Sequence, residues 1–150
     1  MSRIRRIVYA SDFSKASRPA FVTAVELAKA HRGELLVLHV LSIVPPLLGE
    51  GYVSPQVWDD IEAGARATAE RELSRLVTTA RKARIRVKSL LVLGSPYDDI
   101  ARTARRTQAD LLVIGTHGRT GLTKALLGSV AERVLRTAPC PVMTVRDARH

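Results

Sequence analysis

The sequence predicts one α/β domain, an open five-stranded parallel sheet in the order 3-2-1-4-5 with helices on both faces. Three observations predict it. Short apolar runs alternate with helix-period segments along the chain, the pattern of β-α units around a parallel sheet. The runs are nearly continuous in Leu, Ile and Val, as befits strands covered on both faces. The 150 residues, 46% hydrophobic and 25% charged, suffice for one proper core and are too few for two ordinary ones.

Each element follows from its residues. Arg5–Ala10 reads as the first strand, and Ser11-Asp12-Phe13-Ser14 as a turn. Ser17 is placed to cap a helix whose first turn holds Pro19, where proline is tolerated. Phe21, Ala24, Val25 and Ala28 give that helix one apolar face, and Gly33 is expected to stop it. Glu34–Val40 is the second strand. From Leu41 to Pro55 the chain carries Pro45, Pro46, Gly49 and Gly51, an irregular connection expected to be a mobile surface loop. A long helix over Gln56–Ala83 comes next. Val57, Ile61, Ala65, Leu73, Leu76, Val77 and Ala80 trace its apolar stripe, opposite the solvated charges Arg66, Glu70, Arg71, Glu72 and Arg75. Arg86–Leu93 is a third strand, Gly94-Ser95-Pro96 a turn, and Tyr97–Thr107 a third helix. Asp98 and Asp99 fall in its first turn, where negative charge suits the helix dipole. Asp110–Gly115 is the fourth strand, Ser129–Arg136 the last helix and Val142–Val145 the fifth strand. The tail Arg146–His150 is expected to fray.

Bulk properties exclude several classes. No apolar run approaches the roughly 20 residues of a membrane helix, and no signal-peptide pattern opens the chain, so the cytoplasm is the expected compartment. Cys140 is the only cysteine, which excludes an internal disulfide and a thiolate metal cluster. It reads as a small, half-buried residue at the start of a strand. The net charge of +10 is spread from Arg3, Arg5 and Arg6 through Arg66–Arg86 to Arg102–Arg106, with few aromatics to stack on bases. Most of it reads as solvated helix faces. A nucleic-acid-associated basic protein stands as an alternative, marked by steeply salt-dependent DNA binding.

Right-handed crossovers and the order 3-2-1-4-5 put the reversal of strand order between strands one and four, where such sheets bind ligands. The loops Ala10–Ser14 and Gly115–Ser129 then face each other across one crevice. The second loop holds Gly115, Gly118 and Gly128-Ser129 in a G-x2-G-x9-G-S spacing, with a strand before and a helix after. Glycine lets a backbone amide approach a ligand closely, and the helix opened by Gly128-Ser129 offers unpaired N–H groups with about half a positive charge. Phosphate is the natural guest. Neither a G-x4-G-K-S/T loop nor a G-x-G-x-x-G turn after the first strand is present. Asp12 reads as a ligand acceptor or as the cap of its own turn. His39 reads as a satisfied core histidine, and His117 as the better functional candidate. Arg119 and Lys124 stand where phosphate charge would lie, or are exposed loop cations.

In these residues the chain resembles the nucleotide-binding branch of the universal stress proteins. Their G-x2-G-x9-G-S/T signature is matched by Gly115, Gly118, Gly128 and Ser129. The stretches Ile7–Ser14, Leu38-His39-Val40, Gly128–Leu135 and Ala138–Val142 are similar to the family's first strand and acidic loop, second strand and C-terminal half. The resemblance spans nearly the whole chain and implies a Rossmann-like fold. It implies that Asp12 accepts hydrogen bonds from the ribose or base, with Ala10 and Ser11 shaping the wall. Val40 would set its backbone against the adenine edge, and Ile114 would line the floor. Gly115, His117, Gly118, Arg119, Gly128, Ser129 and Val130 would wrap the phosphates. Ala10 departs from a proline that some members carry. The implied ligand is ATP or another adenine nucleotide, with Mg²⁺ held through the phosphates. The implied assembly is a homodimer paired through Val142–Val145, an otherwise exposed edge.

No catalytic constellation accompanies the loop: no Ser/His/Asp arrangement is indicated, and no carboxylate beyond Asp12 is placed as a base. The expected role is therefore a nucleotide-dependent regulatory or stress-response protein with at most slow hydrolysis. A slow ATPase or phosphoryl-transfer enzyme on the same fold is the alternative.

Overall fold

Side chains on a strand alternate between the two faces of its sheet, so a strand apolar at every position must be covered twice. The computed structural model, which describes residues 3–43, 53–117 and 127–147, does so with two helical layers. The elements run β1 (Arg6–Ala10), α1 (Arg18–His31), β2 (Glu34–Leu41), α2 (Pro55–Arg81), β3 (Arg86–Leu93), α3 (Pro96–Arg106), β4 (Leu111–Gly115), α4 (Ser129–Thr137) and β5 (Val142–Val145). The five strands form one sheet in the order β3-β2-β1-β4-β5, as expected, and every pairing is parallel.

Alternation splits the core into two. Ile7, Tyr9, Leu35, Val37, Leu111 and Val113 pack against Phe21, Ala24 and Ala28 of α1 and Leu73, Val77 and Ala80 of α2. Val8, Ala10, Leu38, Val40, Leu112 and Ile114 meet Ile100 and Ala104 of α3 and Ala131 and Val134 of α4. Truncating one of the fully buried large residues to alanine would cost about 2–5 kcal/mol. Tyr9 adds a polar tie, its hydroxyl donating to the Ser17 carbonyl at 3.0 Å. Burial holds its phenol above the usual tyrosine range.

Several local expectations are corrected. Ser17 precedes α1 but makes no side-chain cap. Instead Ser14 Oγ accepts from the Ser17 amide at 3.2 Å, capping a 3-10 turn (Lys15–Ser17) that leads into the helix. Gly33 is not the residue that turns α1 off. Arg32 takes the left-handed conformation (φ 52°), with the Gly33 amide donating to Ala28 O at 2.9 Å and the Arg32 amide to Lys29 O at 3.3 Å. Glycine fits position 33 for another reason: a Cβ there would lie 3.1 Å from the carbonyl oxygens of Ile4 and Arg5.

The stripe on α2 is buried only in its C-terminal half, at Ala69, Leu73, Val77 and Ala80, while Val57 and Ile61 stay half exposed. Length is the reason. At ~1.5 Å per residue its 27 residues outrun the eight-residue strands beneath, at ~3.3 Å per residue. The helical arginines behave as solvated charge: Arg66, Arg75, Arg102 and Arg136 pair with acidic residues three or four positions away on their own helices. Cys140 is a half-buried free thiol, as expected, and burial raises its pKa, with the nearby Asp110 charge adding to the effect.

Of the expected loop Leu41–Pro55, residues 44–52 lie outside the described residues, as do residues 148–150 of the tail. Among the described residues no helix is long and apolar enough to cross a membrane, and no group of three or more His, Cys, Asp or Glu could hold a metal ion.

Candidate functional site at the carboxyl ends of the strands

The chain leaves β1 toward α1 on one face of the sheet and leaves β4 toward α4 on the other. β1 and β4 are neighbours, with Ala10 paired to Ile114, so their following loops part and open a crevice. A cavity of about 260 Å³ occupies it. Small-molecule pockets typically run ~300–1,000 Å³, so this one suits a single compact ligand.

One wall is the turn after β1. The Ser11 amide extends the ladder by donating to Leu38 O at 2.8 Å. Ser11 Oγ accepts from the Phe13 amide at 3.1 Å, and Asp12 Oδ1 accepts from the Ser14 amide at 2.9 Å. These bonds hold Phe13 at φ 64°, a left-handed conformation costly for a non-glycine residue. Its ring stacks on His39 with centroids 4.1 Å apart. His39 is buried, and its Nδ1 donates to the Ser11 carbonyl at 2.7 Å. His39 is thus the satisfied core histidine expected, and it also lines the cavity. Asp12 caps its own turn, one of the two roles expected of it, and also lines the cavity.

The opposite wall is built from the ends of β4 and α4. The Thr116 amide donates to Val145 O at 3.1 Å, and the Gly128 amide returns to Thr116 O at 2.6 Å, bringing the start of α4 beside the end of β4. The first helical bond of α4 runs from the Glu132 amide to Gly128 O, at 2.9 Å. The amides of Ser129, Val130 and Ala131 therefore have no acceptor within the helix. Gly128, at φ −59° and ψ 151°, has no side chain to cap them. Thr116 Oγ1 and His117 Nδ1 lie 2.9 Å apart, while His117 Nε2 is buried with no partner among the described residues. A buried nitrogen left so is costly, and a bound oxygen would relieve it.

Of the expected site residues, Ala10, Ser11, Asp12, Val40, Ile114, Gly115, His117, Gly128, Ser129 and Val130 all line this one cavity. Gly118 and Arg119 lie outside the described residues, as does Lys124. At Gly115 a Cβ would meet Ala16 O and Ser17 Cα at an ordinary 3.5 Å, so neither backbone strain nor crowding by the protein itself demands glycine there.

The sequence of the chain from residue 3 to 146 matches the model of the universal stress protein family. The chain belongs to that family. Its curated relatives include a universal stress protein of Methanocaldococcus jannaschii, 32% identical over 145 residues, with 97% of this chain and 84% of that one covered. Another, from Thermus aquaticus, is 34% identical over 142 residues and covers 95% and 98% of the two chains. Among solved structures, the universal stress protein UspA from Lactobacillus plantarum superposes with a TM-score of 0.83 at 24% identity, covering 97% of this chain and all of that one, a likeness of fold. The universal stress protein from Archaeoglobus fulgidus in complex with dAMP is 26% identical, with a TM-score of 0.65 over 97% and 100% of the chains.

This universal stress protein closes its cavity with a third element that sequence reasoning missed. Pro96, Tyr97 and Ile100 of α3 form the remaining side. Nothing in their local sequence announces a site. The signal lay in topology: right-handed β3-α3-β4 and β4-α4-β5 crossovers place both helices on one face, with both N-termini at the carboxyl ends of the strands. Leu38, Thr116 and Ala131, also on the cavity surface, are neighbours in chain or strand of expected residues, and Ser17 reaches it from the 3-10 turn before α1.

Proposed function

We propose that this universal stress protein binds an adenine nucleotide in the crevice and that occupancy serves a regulatory or stress-response role, with ATP the preferred ligand. The uncapped N-terminus of α4 beside an apolar floor carries this reading, because one end suits phosphate and the other a base. Ala10, Val40 and Ile114 supply the floor, and the backbone of Val40 runs where the adenine edge would lie. Asp12 would accept from a ribose hydroxyl, with Ser11 behind it. Gly115, His117, Gly118, Arg119, Gly128, Ser129 and Val130 would surround the phosphates, and His117 Nε2 would find its missing partner. A relative of this fold solved with dAMP supports the ligand class.

Mg²⁺, where it accompanies ATP, would be held by phosphate oxygens. Asp12 is the one carboxylate on the cavity wall among the described residues. We read the site as favouring binding over turnover, since Oδ1 of that carboxylate already accepts from the Ser14 amide. The outer edge of β5 would pair with a second copy across a two-fold axis to make the homodimer.

The test is direct. Purified protein is denatured and any released nucleotide identified, then ATP, ADP, AMP and cyclic AMP are titrated by calorimetry with Mg²⁺. ATP should bind at micromolar strength. Binding no tighter than millimolar for all four would overturn the reading.

A further inference from the structure

The rim of the cavity holds a contact that the phosphate-loop motif does not include. Tyr97, in the first turn of α3, brings its hydroxyl to 3.1 Å from Ser129 Oγ, the first side chain of α4. One turn further along α4, Arg133 Nη2 lies 3.2 Å from Asp98 Oδ1, so two adjacent α3 residues tie that helix to the start of α4. Both Tyr97 and Ser129 line the cavity, and the tyrosine is 44% exposed, standing at its mouth.

Two paired hydroxyls carry two hydrogens, and their mutual bond uses one. The second is left to donate elsewhere, whichever oxygen it sits on. An ionised phosphate oxygen only accepts, so a phosphate at the α4 N-terminus would draw that hydrogen and polarise the pair, each bond strengthening the other. The helix amides would reach such a phosphate from one side, and the hydroxyl pair from the rim.

We propose that Tyr97 is a positioning residue for phosphate, holding and polarising the Ser129 hydroxyl so that this protein discriminates nucleotides from nucleosides. The proposal rests on the nucleotide-binding reading. It assigns to α3 a part in selecting the ligand's charged end, beyond its place in the core.

The experiment compares ATP with adenosine, titrated by calorimetry with Mg²⁺ into wild type, Tyr97→Phe, Ser129→Ala and the double variant. Tyr97→Phe keeps the ring and removes only the hydroxyl. It should weaken ATP by about tenfold and adenosine by less than about twofold. The double variant should lose little more than Ser129→Ala alone, because the two hydroxyls act as one unit. Equal losses for ATP and adenosine would mean the tyrosine merely supports the cavity, and would overturn the proposal. So would fully additive losses, or an unchanged ATP affinity. A wild type that binds neither ligand would remove the nucleotide-binding reading itself, an outcome distinct from these.

Discussion

Two helices point their N-termini at the same cavity, and their first turns differ in charge and bonding. At α3 the Ser95 amide donates to Asp99 Oδ2 at 2.8 Å, and Asp98 and Asp99 set two carboxylates in the first turn. Gly94 leaves room for this: a Cβ there would fall 2.1 Å from Asp99 Oδ2. The positive end of α3 is answered from within the chain. At α4 the cap position is Gly128, and the first-turn acid Glu132 is turned to Arg136 at 2.7 Å. The N-terminal amides of α4 therefore have no side-chain cap. Both helices pack on the same layer, so burial does not explain the difference. Charge does: neither N-cap side chain bonds its own helix, but α3 carries two first-turn carboxylates, one of them bonded to the Ser95 amide, and α4 carries one.

The contrast can be broken from either side. The largest effect should come from Gly128→Asp, which gives α4 the carboxylate that α3 has. The backbone at 128 is extended and accepts aspartate without strain. ATP affinity should fall about a hundredfold or more, since several amide bonds to phosphate are lost and a like charge is added. Thermal stability should rise by a few tenths of a kcal/mol up to about 1 kcal/mol. Calorimetry and a melting curve on one sample would check both, and an unchanged affinity would deny α4 its role. A smaller effect, of opposite kind, is expected of Asp99→Ala. It should cost about 1–2 kcal/mol of stability by leaving the Ser95 amide without its acceptor and removing a first-turn carboxylate, with ATP affinity kept within about twofold. A large loss of ATP binding there would mean that the Asp99–Ser95 bond supports the phosphate site as well as the helix.

This division was half legible in the sequence. The alternation of apolar runs gave the strands, the crossover rule gave their order, and together they located a crevice after β1 and β4. Asp98 and Asp99 announced the acidic first turn of α3 by composition alone. Local chemistry hid more. Non-glycine residues close the helices, with Arg32, Arg84 and Gln108 all in left-handed conformations that no residue type there advertises. The apolar spacing of Val57 and Ile61 reads as core, yet the helix outruns its sheet. Tyr97 and Ser129 lie 32 positions apart, and only packing of α3 on α4 brings them together.

Binding of a nucleotide by its phosphates at the start of α4 would show in the ratio of ATP to adenosine affinity of the wild-type protein, measured by calorimetry with Mg²⁺. Two or three amide bonds to phosphate predict that ATP binds at least about a hundredfold tighter than adenosine. Equal affinities, or none for either, would contradict the account.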